Sequence, residues 1–204
     1  MPHLYLIRHP RTHVDPARQP HEWGLSELGR GQVIKLNEAP FWKNVTTLYS
    51  SNQPKAIEAA QIIGKTHEIE VIALPGLAEV WRGTEVYLSA AEYDNVLGRF
   101  FSLPNFSIEG WERATNALAR FSETIKYLID QHPGKSVAIL SHGTILTLYT
   151  AMLDHQNPTL ERWREIGFAT VAAVEIASMR LVSSFISAPY ENIPMDMDTS
   201  ETAH

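Results

Sequence analysis

Short apolar runs alternate with amphipathic helical patterns along most of this chain, and that alternation leaves few folds open. The run Ser136–Leu140 (SVAIL) carries no charge, which is typical of a strand buried on both faces of a parallel sheet. Strands that alternate with helices predict an α/β fold whose sheet is mostly parallel. The other expected strands are His3–Ile7, Thr46–Tyr49 and Glu70–Leu74, and the expected helices run from Ser26 to about Asn37, from Asn52 to a stop at Gly64, from Trp111 to Gln131 and from Gly143 to about Leu153.

The segment 84–109 interrupts this alternation. Ser89 and Glu92 form a capping-box signature, which marks the start of a helix. Apolar residues then recur at helical spacing through Tyr93–Phe101, so we expect a short helical lid over the top of the sheet. Further along the chain, a short helix is expected from Asn157-Pro158 to Glu165, and a terminal hairpin from Thr170–Ile176 and Arg180–Ile186.

The length of 204 residues favours one domain, with hydrophobic residues at 44% and charged residues at 20%, close to ordinary globular usage. We expect this domain to span residues 1–188, with the lid inserted at about 84–109. Residues 189–204 are polar, acidic and contain proline, so the sequence predicts a disordered tail there.

Charge and composition exclude several classes of function. The net charge of -6 argues against a nucleic acid or an anionic membrane as partner. No apolar run approaches the length of about 18 residues that a membrane span needs, and no secretory signal is recognisable at the start of the chain. We therefore expect a cytoplasmic protein. The absence of cysteine excludes disulfides, thiolate metal sites and cysteine nucleophiles.

Polar clusters follow the predicted strands at the points where those strands end. Arg8-His9, Ser50–Lys55 and Ser141–Gly143 come directly after three strands, and Glu79 follows the fourth after a turn. In open α/β sheets, ligands bind outside the carboxyl ends of the strands. If the strands are parallel, all four clusters converge on one edge of the sheet.

The converging side chains are suited to binding a phosphate group and transferring its phosphoryl group. Arg8 offers a planar fork of donors and Lys55 a point charge, both suited to phosphate oxygens. His142 precedes a helix whose free N–H groups favour an anion. A neutral His9 can attack phosphorus, and Glu79, when protonated, can donate to the leaving oxygen.

Each of these residue types also occurs in purely structural roles. His142 can cap its helix or pack in the core, and Lys55 on a first helical turn is often a solvated charge. Glu85 lies close to Glu79 and competes for the acid role, and Thr12 can cap a turn instead of contacting phosphate.

Five motifs in order resemble those of the histidine phosphatase superfamily, also called the phosphoglycerate-mutase-like family. Together they span most of the chain, and five in order are far more specific than the opening R-H-P alone. The motifs are Arg8–Thr12 (RHPRT), Leu25–Gln32 (LSELGRGQ), Tyr49–Ala60 (YSSNQPKAIEAA), Leu77–Gly83 (LAEVWRG) and Ser141–Gly143 (SHG).

The resemblance implies a phosphoglycerate-mutase-like three-layer sandwich, with helices on both faces of the sheet. It implies that His9 is the phosphorylated nucleophile, that Arg8 and His142 hold the transferring phosphoryl group, and that Glu79 is the proton donor. Thr12, Lys55 and Gly143 would complete substrate binding. No metal or organic cofactor is implied, and the expected partner is a small phosphorylated metabolite. A homodimer is left open.

Two positions depart from the family pattern. Lys55 stands where the family usually has a second arginine, so the charge is kept but the bidentate fork is lost. Asp15 stands where many members have asparagine, and its charge would disfavour anionic substrates if it pointed into the site.

Three functions are compatible with the sequence: a metal-independent phosphatase, a mutase of the phosphoglycerate type, and a non-catalytic phosphate-binding relative. The short lid and the lack of the tyrosine in Glu79–Gly83 weaken the mutase hypothesis, and the retained His9, His142 and Glu79 weaken the non-catalytic one. We therefore predict the phosphatase. Candidate residues for reading the substrate are Arg11, Arg18, Trp23, Trp81 and Arg82, with His13 and His21 at the rim.

Overall fold

The computed structural model describes residues 1–83 and 87–196. Among the helices of this part, none combines the length and the apolarity that crossing a membrane requires. The strands are β1 (His3–Arg8), β2 (Val45–Ser51), β3 (Glu70–Leu74), β4 (Ser136–Ser141), β5 (Val171–Glu175) and β6 (Arg180–Leu181), and the α-helices are α1 (Glu27–Asn37), α2 (Pro54–His67), α3 (Ala90–Ser102), α4 (Ala114–Gln131), α5 (Gly143–Leu153) and α6 (Leu160–Glu165).

The strands form one sheet in the order β3-β2-β4-β1-β5-β6. The first four are mutually parallel, whereas β5 runs antiparallel to β1 and β6 antiparallel to β5. The charge-free run of β4 lies between β2 and β1 and is buried throughout, as its composition predicts. The mostly parallel α/β sheet expected from the sequence is confirmed.

The core lies on both faces of the sheet, because successive side chains of a strand point to opposite faces. Along β1, Leu4 and Leu6 pack in one buried cluster together with α3, α4 and α5. Tyr5 and Ile7 pack in the other, together with α1 and α2. This gives three layers, and it confirms the sandwich that the family resemblance implies.

The lid is helical, as its capping box predicts. Ser89 accepts a hydrogen bond from the Glu92 N–H, and the Glu92 carboxylate accepts one from the Ser89 N–H, at the start of α3. Val96, Leu97 and Phe100 of this helix are buried in the core shared with α4 and α5. Residues 84–86 of the predicted insertion lie outside the described residues.

Three helix ends differ from the prediction. Gly64 does not stop α2, which continues to His67. A Cβ at Gly64 would lie 2.3 Å from the Val71 side chain, so this glycine serves close packing instead of chain termination. Thr159 caps α6, in place of Asn157, and α4 begins at Ala114, in place of Trp111.

The predicted disorder of the tail is wrong for residues 189–196, which pack on the domain. Tyr190 and Ile193 are buried in the same core as α1 and α2. Asp196 accepts a hydrogen bond from the Ser136 hydroxyl and lies 3.0 Å from His3 Nδ1. The composition of the segment is polar overall, but it contains two residues that are buried in the core and a carboxylate that pairs with Ser136. Residues 197–204 lie outside the described part of the chain.

Candidate active site

The carboxyl ends of β1, β2 and β4 meet at one edge of the sheet. Arg8 stands opposite Ser141 in the β1–β4 register, and Ser50 stands opposite Leu140 in the β2–β4 register. A cavity of about 1020 Å³ opens at this edge. Six of the predicted site residues line it, namely Arg8, His9, Thr12, Lys55, Glu79 and His142.

His9 and His142 lie side by side, with ring centroids 4.9 Å apart. Both are buried, with exposed fractions of 6% and 0%. His9 Nδ1 lies 2.7 Å from the carbonyl oxygen of Pro10, so Nδ1 carries the proton and donates it. The other nitrogen of His9, Nε2, is then left with its lone pair.

Burial is the main reason that the pKa of each imidazole lies well below the usual value of histidine. For His9, the neighbouring cations Lys55 and Arg8 lower the pKa further. For His142, His9 and Lys55 have the same effect. Both rings are therefore neutral at ordinary pH, which is the form of histidine that can act as a nucleophile.

A hydroxyl group orients His142. Its Nε2 lies 2.7 Å from Ser51 Oγ, and this oxygen also accepts the N–H of Gln53. In the tautomer in which the Ser51 hydroxyl donates to Nε2, the ring proton lies on Nδ1. Nδ1 is buried and has no hydrogen-bond partner among the described residues, so in that tautomer it is a donor for a ligand.

Arg8 is held by an aromatic ring and a carbonyl. Its guanidinium carbon lies 4.3 Å from the centroid of the Phe168 ring, and Nη1 donates to the carbonyl of Ile166. Burial lowers the pKa of Arg8, but arginine remains charged in proteins. Among the described residues, the buried Arg8 Nε has no acceptor, which leaves a donor for an anion.

Gly143 serves packing in this structure. A Cβ at this position would lie 2.9 Å from Arg8 Cζ and 3.0 Å from Trp163 Nε1. Glycine therefore allows the Arg8 side chain to lie against the start of α5. Gly143 does not line the cavity, so its predicted contact with substrate remains a prediction.

Glu79 occupies the start of α5, where the sequence suggested space for an anion. Its Oε2 accepts the N–H of Thr144 at 3.0 Å, and Oε1 accepts the N–H groups of Ile145 and Val80 at 2.9 and 3.0 Å. Arg82 Nη2 lies 3.8 Å from Oε2. The positive end of the helix thus holds a carboxylate of the protein itself.

Lys55 is buried despite its position on the first turn of α2. It is therefore not a solvent-exposed surface charge, the alternative that its position in the sequence suggested. Its Nζ donates to the carbonyl of Pro20 at 2.6 Å. Thr12 is partly buried and forms an isolated bridge with Leu25, which ties the motif after β1 to the start of α1.

The candidate substrate-reading residues divide into two groups. Trp23, Arg82 and His21 line the cavity, whereas Arg11, Arg18, Trp81 and His13 do not. Asp15 does not line it either, and its carboxylate accepts the N–H of Ala17 within a turn.

The sequence motifs do not indicate several aromatic residues of the site. Phe168 and Trp163 flank Arg8, and Tyr93 of the lid contacts both Arg82 and Thr144. None belongs to a motif, and Tyr93 reads in the sequence as an ordinary core position of α3. No grouping of three or more His, Asp or Glu side chains suited to a metal ion occurs in residues 1–83 and 87–196.

Solved structures of similar fold include several phosphatases. A mycobacterial glucosyl-3-phosphoglycerate phosphatase, solved with inorganic phosphate, is 21% identical with a TM-score of 0.73 over 92% of this chain and 98% of its own. A phosphoserine phosphatase variant from Entamoeba histolytica, solved with phosphoserine, is 21% identical with a TM-score of 0.71 over 93% of this chain and 99% of its own. The YhfR protein of Bacillus stearothermophilus is 21% identical with a TM-score of 0.73 over 94% and 98%.

No curated protein matches the sequence at a significant level. A family model for the histidine phosphatase superfamily (branch 1) matches residues 4–186. This span includes both adjacent imidazoles and the arginine and glutamate beside them. The chain therefore belongs to branch 1 of the histidine phosphatase superfamily.

Proposed function

We propose that the protein is a metal-independent phosphomonoesterase, a hydrolase that cleaves small phosphomonoesters through a phosphohistidine on His9. The observation that carries this proposal is the state of the His9 ring. Its Nδ1 is tied to the Pro10 carbonyl, and its Nε2 lone pair is free beside His142 in the cavity. A histidine that only bound phosphate would not need a free lone pair on the ring nitrogen that faces the cavity.

In the first step, the Nε2 lone pair attacks phosphorus and the bond from phosphorus to the leaving oxygen breaks. The two unsatisfied donors, Arg8 Nε and His142 Nδ1, supply hydrogen bonds to phosphoryl oxygens. Lys55 adds positive charge on the same cavity wall. These donors are buried, so their attraction for an anion is screened less than it would be in water.

Glu79 is the proposed proton donor to the leaving oxygen. Oε1 already accepts two N–H groups, whereas Oε2 accepts one. Each carboxylate oxygen has two acceptor positions, so the transferred proton is carried by Oε2. The alcohol leaves with this proton, and Glu79 becomes a carboxylate.

In the second step, water attacks the phosphorus of the phosphohistidine. Glu79 accepts one proton from the water, the bond from phosphorus to Nε2 breaks, and inorganic phosphate leaves with His9 restored. Two successive in-line displacements give retention of configuration at phosphorus.

The cavity has room for more than a phosphoryl group, since its volume is about 1020 Å³. Trp23, Tyr87 and Leu88 contribute apolar wall beyond the charged residues. A small phosphorylated metabolite is the proposed substrate. The solved relatives that act on phosphoserine and on glucosyl-3-phosphoglycerate support this class of substrate without specifying the compound.

The test compares hydrolysis of p-nitrophenyl phosphate by the wild type, by His9→Ala and by the control His13→Ala, whose exposed side chain does not line the cavity. We expect His9→Ala to lose turnover and His13→Ala to retain it, with EDTA leaving the wild-type rate unchanged. Rapid quenching should trap phosphate on the wild-type protein and not on His9→Ala. Equal hydrolysis by wild type and His9→Ala would reject the mechanism, and EDTA-sensitive hydrolysis would reject its metal independence.

A further inference from the structure

A turn between α6 and β5 carries the aromatic ring beneath the candidate nucleophile and its arginine. The Phe168 ring centroid lies 4.3 Å from Arg8 Cζ and 5.6 Å from the centroid of the His9 ring. The next residue, Ala169, has a φ of 53°, a left-handed conformation that costs energy for a residue with a Cβ. The position of Phe168 therefore depends on whatever holds this turn.

Two backbone hydrogen bonds connect the turn to the end of β1. The N–H of Ala169 donates to the carbonyl of His9 at 3.4 Å, and the N–H of Arg8 donates to the carbonyl of Thr170 at 3.0 Å. Movement of the turn would thus be transmitted to both His9 and Arg8.

A third hydrogen bond reaches the turn from the C-terminal segment. The hydroxyl of Tyr190 donates to the carbonyl of Ala169 at 2.5 Å, and Tyr190 is only 4% exposed. Burial raises the pKa of Tyr190 to about 12, so the hydroxyl keeps its proton at ordinary pH. Without this donor, the Ala169 carbonyl would lose a buried partner in a strained turn.

We propose that Tyr190 is a positioning residue for the active site, whose hydroxyl fixes the Ala169 turn and through it the placement of Phe168, Arg8 and His9. The C-terminal segment thereby contributes to the site without lining the cavity. The kinetic part of this proposal rests on the phosphatase function proposed above.

The chain offers a matched control. The hydroxyl of Tyr5 donates to the carbonyl of Pro194 at 3.1 Å, so it also binds the C-terminal segment and is also buried. Tyr5→Phe and Tyr190→Phe each remove one hydroxyl and leave the ring in place. Each should lower Tm by about 2–4 °C, because each loses one buried hydrogen bond.

Only Tyr190→Phe should change the site. We expect its kcat/KM for p-nitrophenyl phosphate to fall about threefold to tenfold, with Tyr5→Phe unchanged. The imidazole ¹⁵N signals of His9 should shift in Tyr190→Phe and stay in place in Tyr5→Phe. In Phe168→Leu, removing the Tyr190 hydroxyl should have a smaller kinetic effect than in the wild type, because the two residues act through one path.

The NMR comparison separates the two proposals, since it needs no turnover. If the wild type hydrolyses no phosphomonoester but the His9 signals still shift in Tyr190→Phe alone, the function is wrong and the positioning role stands. His9 signals that respond equally to the two tyrosine variants, or to neither, would overturn the positioning role. Equal kinetic losses in the two variants would do the same.

Discussion

Two buried imidazoles set the electrostatic character of the site at the scale of single residues. His9 and His142 lie among the cations Arg8, Lys55 and Arg82, and in this surrounding both rings are neutral. The cost of keeping cations and imidazoles together out of water favours an anionic ligand, which would repay part of that cost. The same arrangement makes the folded state sensitive to acid.

We expect the free energy of unfolding to fall as the pH is lowered from about 7.5 to 5. The pKa of each histidine lies below the value of about 6.5 in an unfolded chain, so in this range the unfolded chain binds more protons. Each histidine contributes a slope of at most about 1.4 kcal/mol per pH unit. Urea titrations at several pH values measure it.

His9→Asn should flatten this dependence, because it removes one of the two buried imidazoles whose pKa is lowered by folding. A slope that does not change in His9→Asn would assign the acid sensitivity to other groups.

Lys55 is expected to bind the phosphoryl group through its charge. Lys55→Met should raise KM for p-nitrophenyl phosphate by about tenfold or more, the size expected for a hydrogen bond to a charged group. Lys65→Met is the matched control, because Lys65 is exposed on the same helix.

Lys55→Arg should also change KM or kcat. The space at this position holds a compact ammonium that donates to the Pro20 carbonyl, and a planar guanidinium has a different shape and donor geometry. Unchanged kinetics in Lys55→Met would show that Lys55 has only a structural role.

Helix α1 packs against the loop after β1, which carries the first sequence motif. The N–H and hydroxyl of Ser26, its N-cap, donate to the carbonyl of Arg11, and Gln32 accepts the N–H of Arg11. A Cβ at Gly29 would lie 2.0 Å from that same carbonyl oxygen. The motif L-S-E-L-G-R-G-Q therefore serves the docking of α1 onto the loop after β1.

Two glycines of α1 give a paired prediction. Gly29→Ala should destabilise the fold by about 2 kcal/mol, because the methyl group meets backbone that cannot move aside easily. Gly31→Ala should stabilise it by about 0.5–1 kcal/mol, since nothing lies within 4 Å and alanine favours the helix. Chemical unfolding of the two variants measures both values. Similar effects at the two positions would contradict the close packing seen at Gly29.

At the end of the sheet opposite the site, the C-terminal segment pairs with the starts of β1 and β4. Its residue Asp196 contacts His3 Nδ1 and the Ser136 hydroxyl there. Ser136 Oγ in turn accepts the N–H of His3. His3 and His9 are six residues apart, which corresponds to about 20 Å along an extended chain.

Asp196→Ala should lower the free energy of unfolding by about 1–3 kcal/mol, because the buried Ser136 hydroxyl loses its acceptor. At this distance from His9, kcat/KM should stay as in the wild type. Glu191→Ala is the matched control, since it removes an exposed carboxylate from the same segment. A loss of activity without a loss of stability in Asp196→Ala would contradict this assignment.

The sequence was sufficient to predict the sheet, most helices and the polar residues that meet at its edge. Apolar runs such as Ser136–Leu140 report burial directly, and the period of a helix or strand is a local property of the chain. The adjacency of His9, His142 and Arg8 follows once the strands are parallel, because their carboxyl ends then share one edge.

The remaining features depend on contacts between residues far apart in the chain, so local sequence patterns do not predict them. Glu79 holds the start of α5, Gly64 packs on β3 instead of ending α2, and Phe168 lies under Arg8. The packed segment 189–196 reads as disordered because average composition does not reveal where Tyr190 and Asp196 find their partners. Local patterns record how a segment folds, whereas such long-range contacts exist only after the chain has closed on itself.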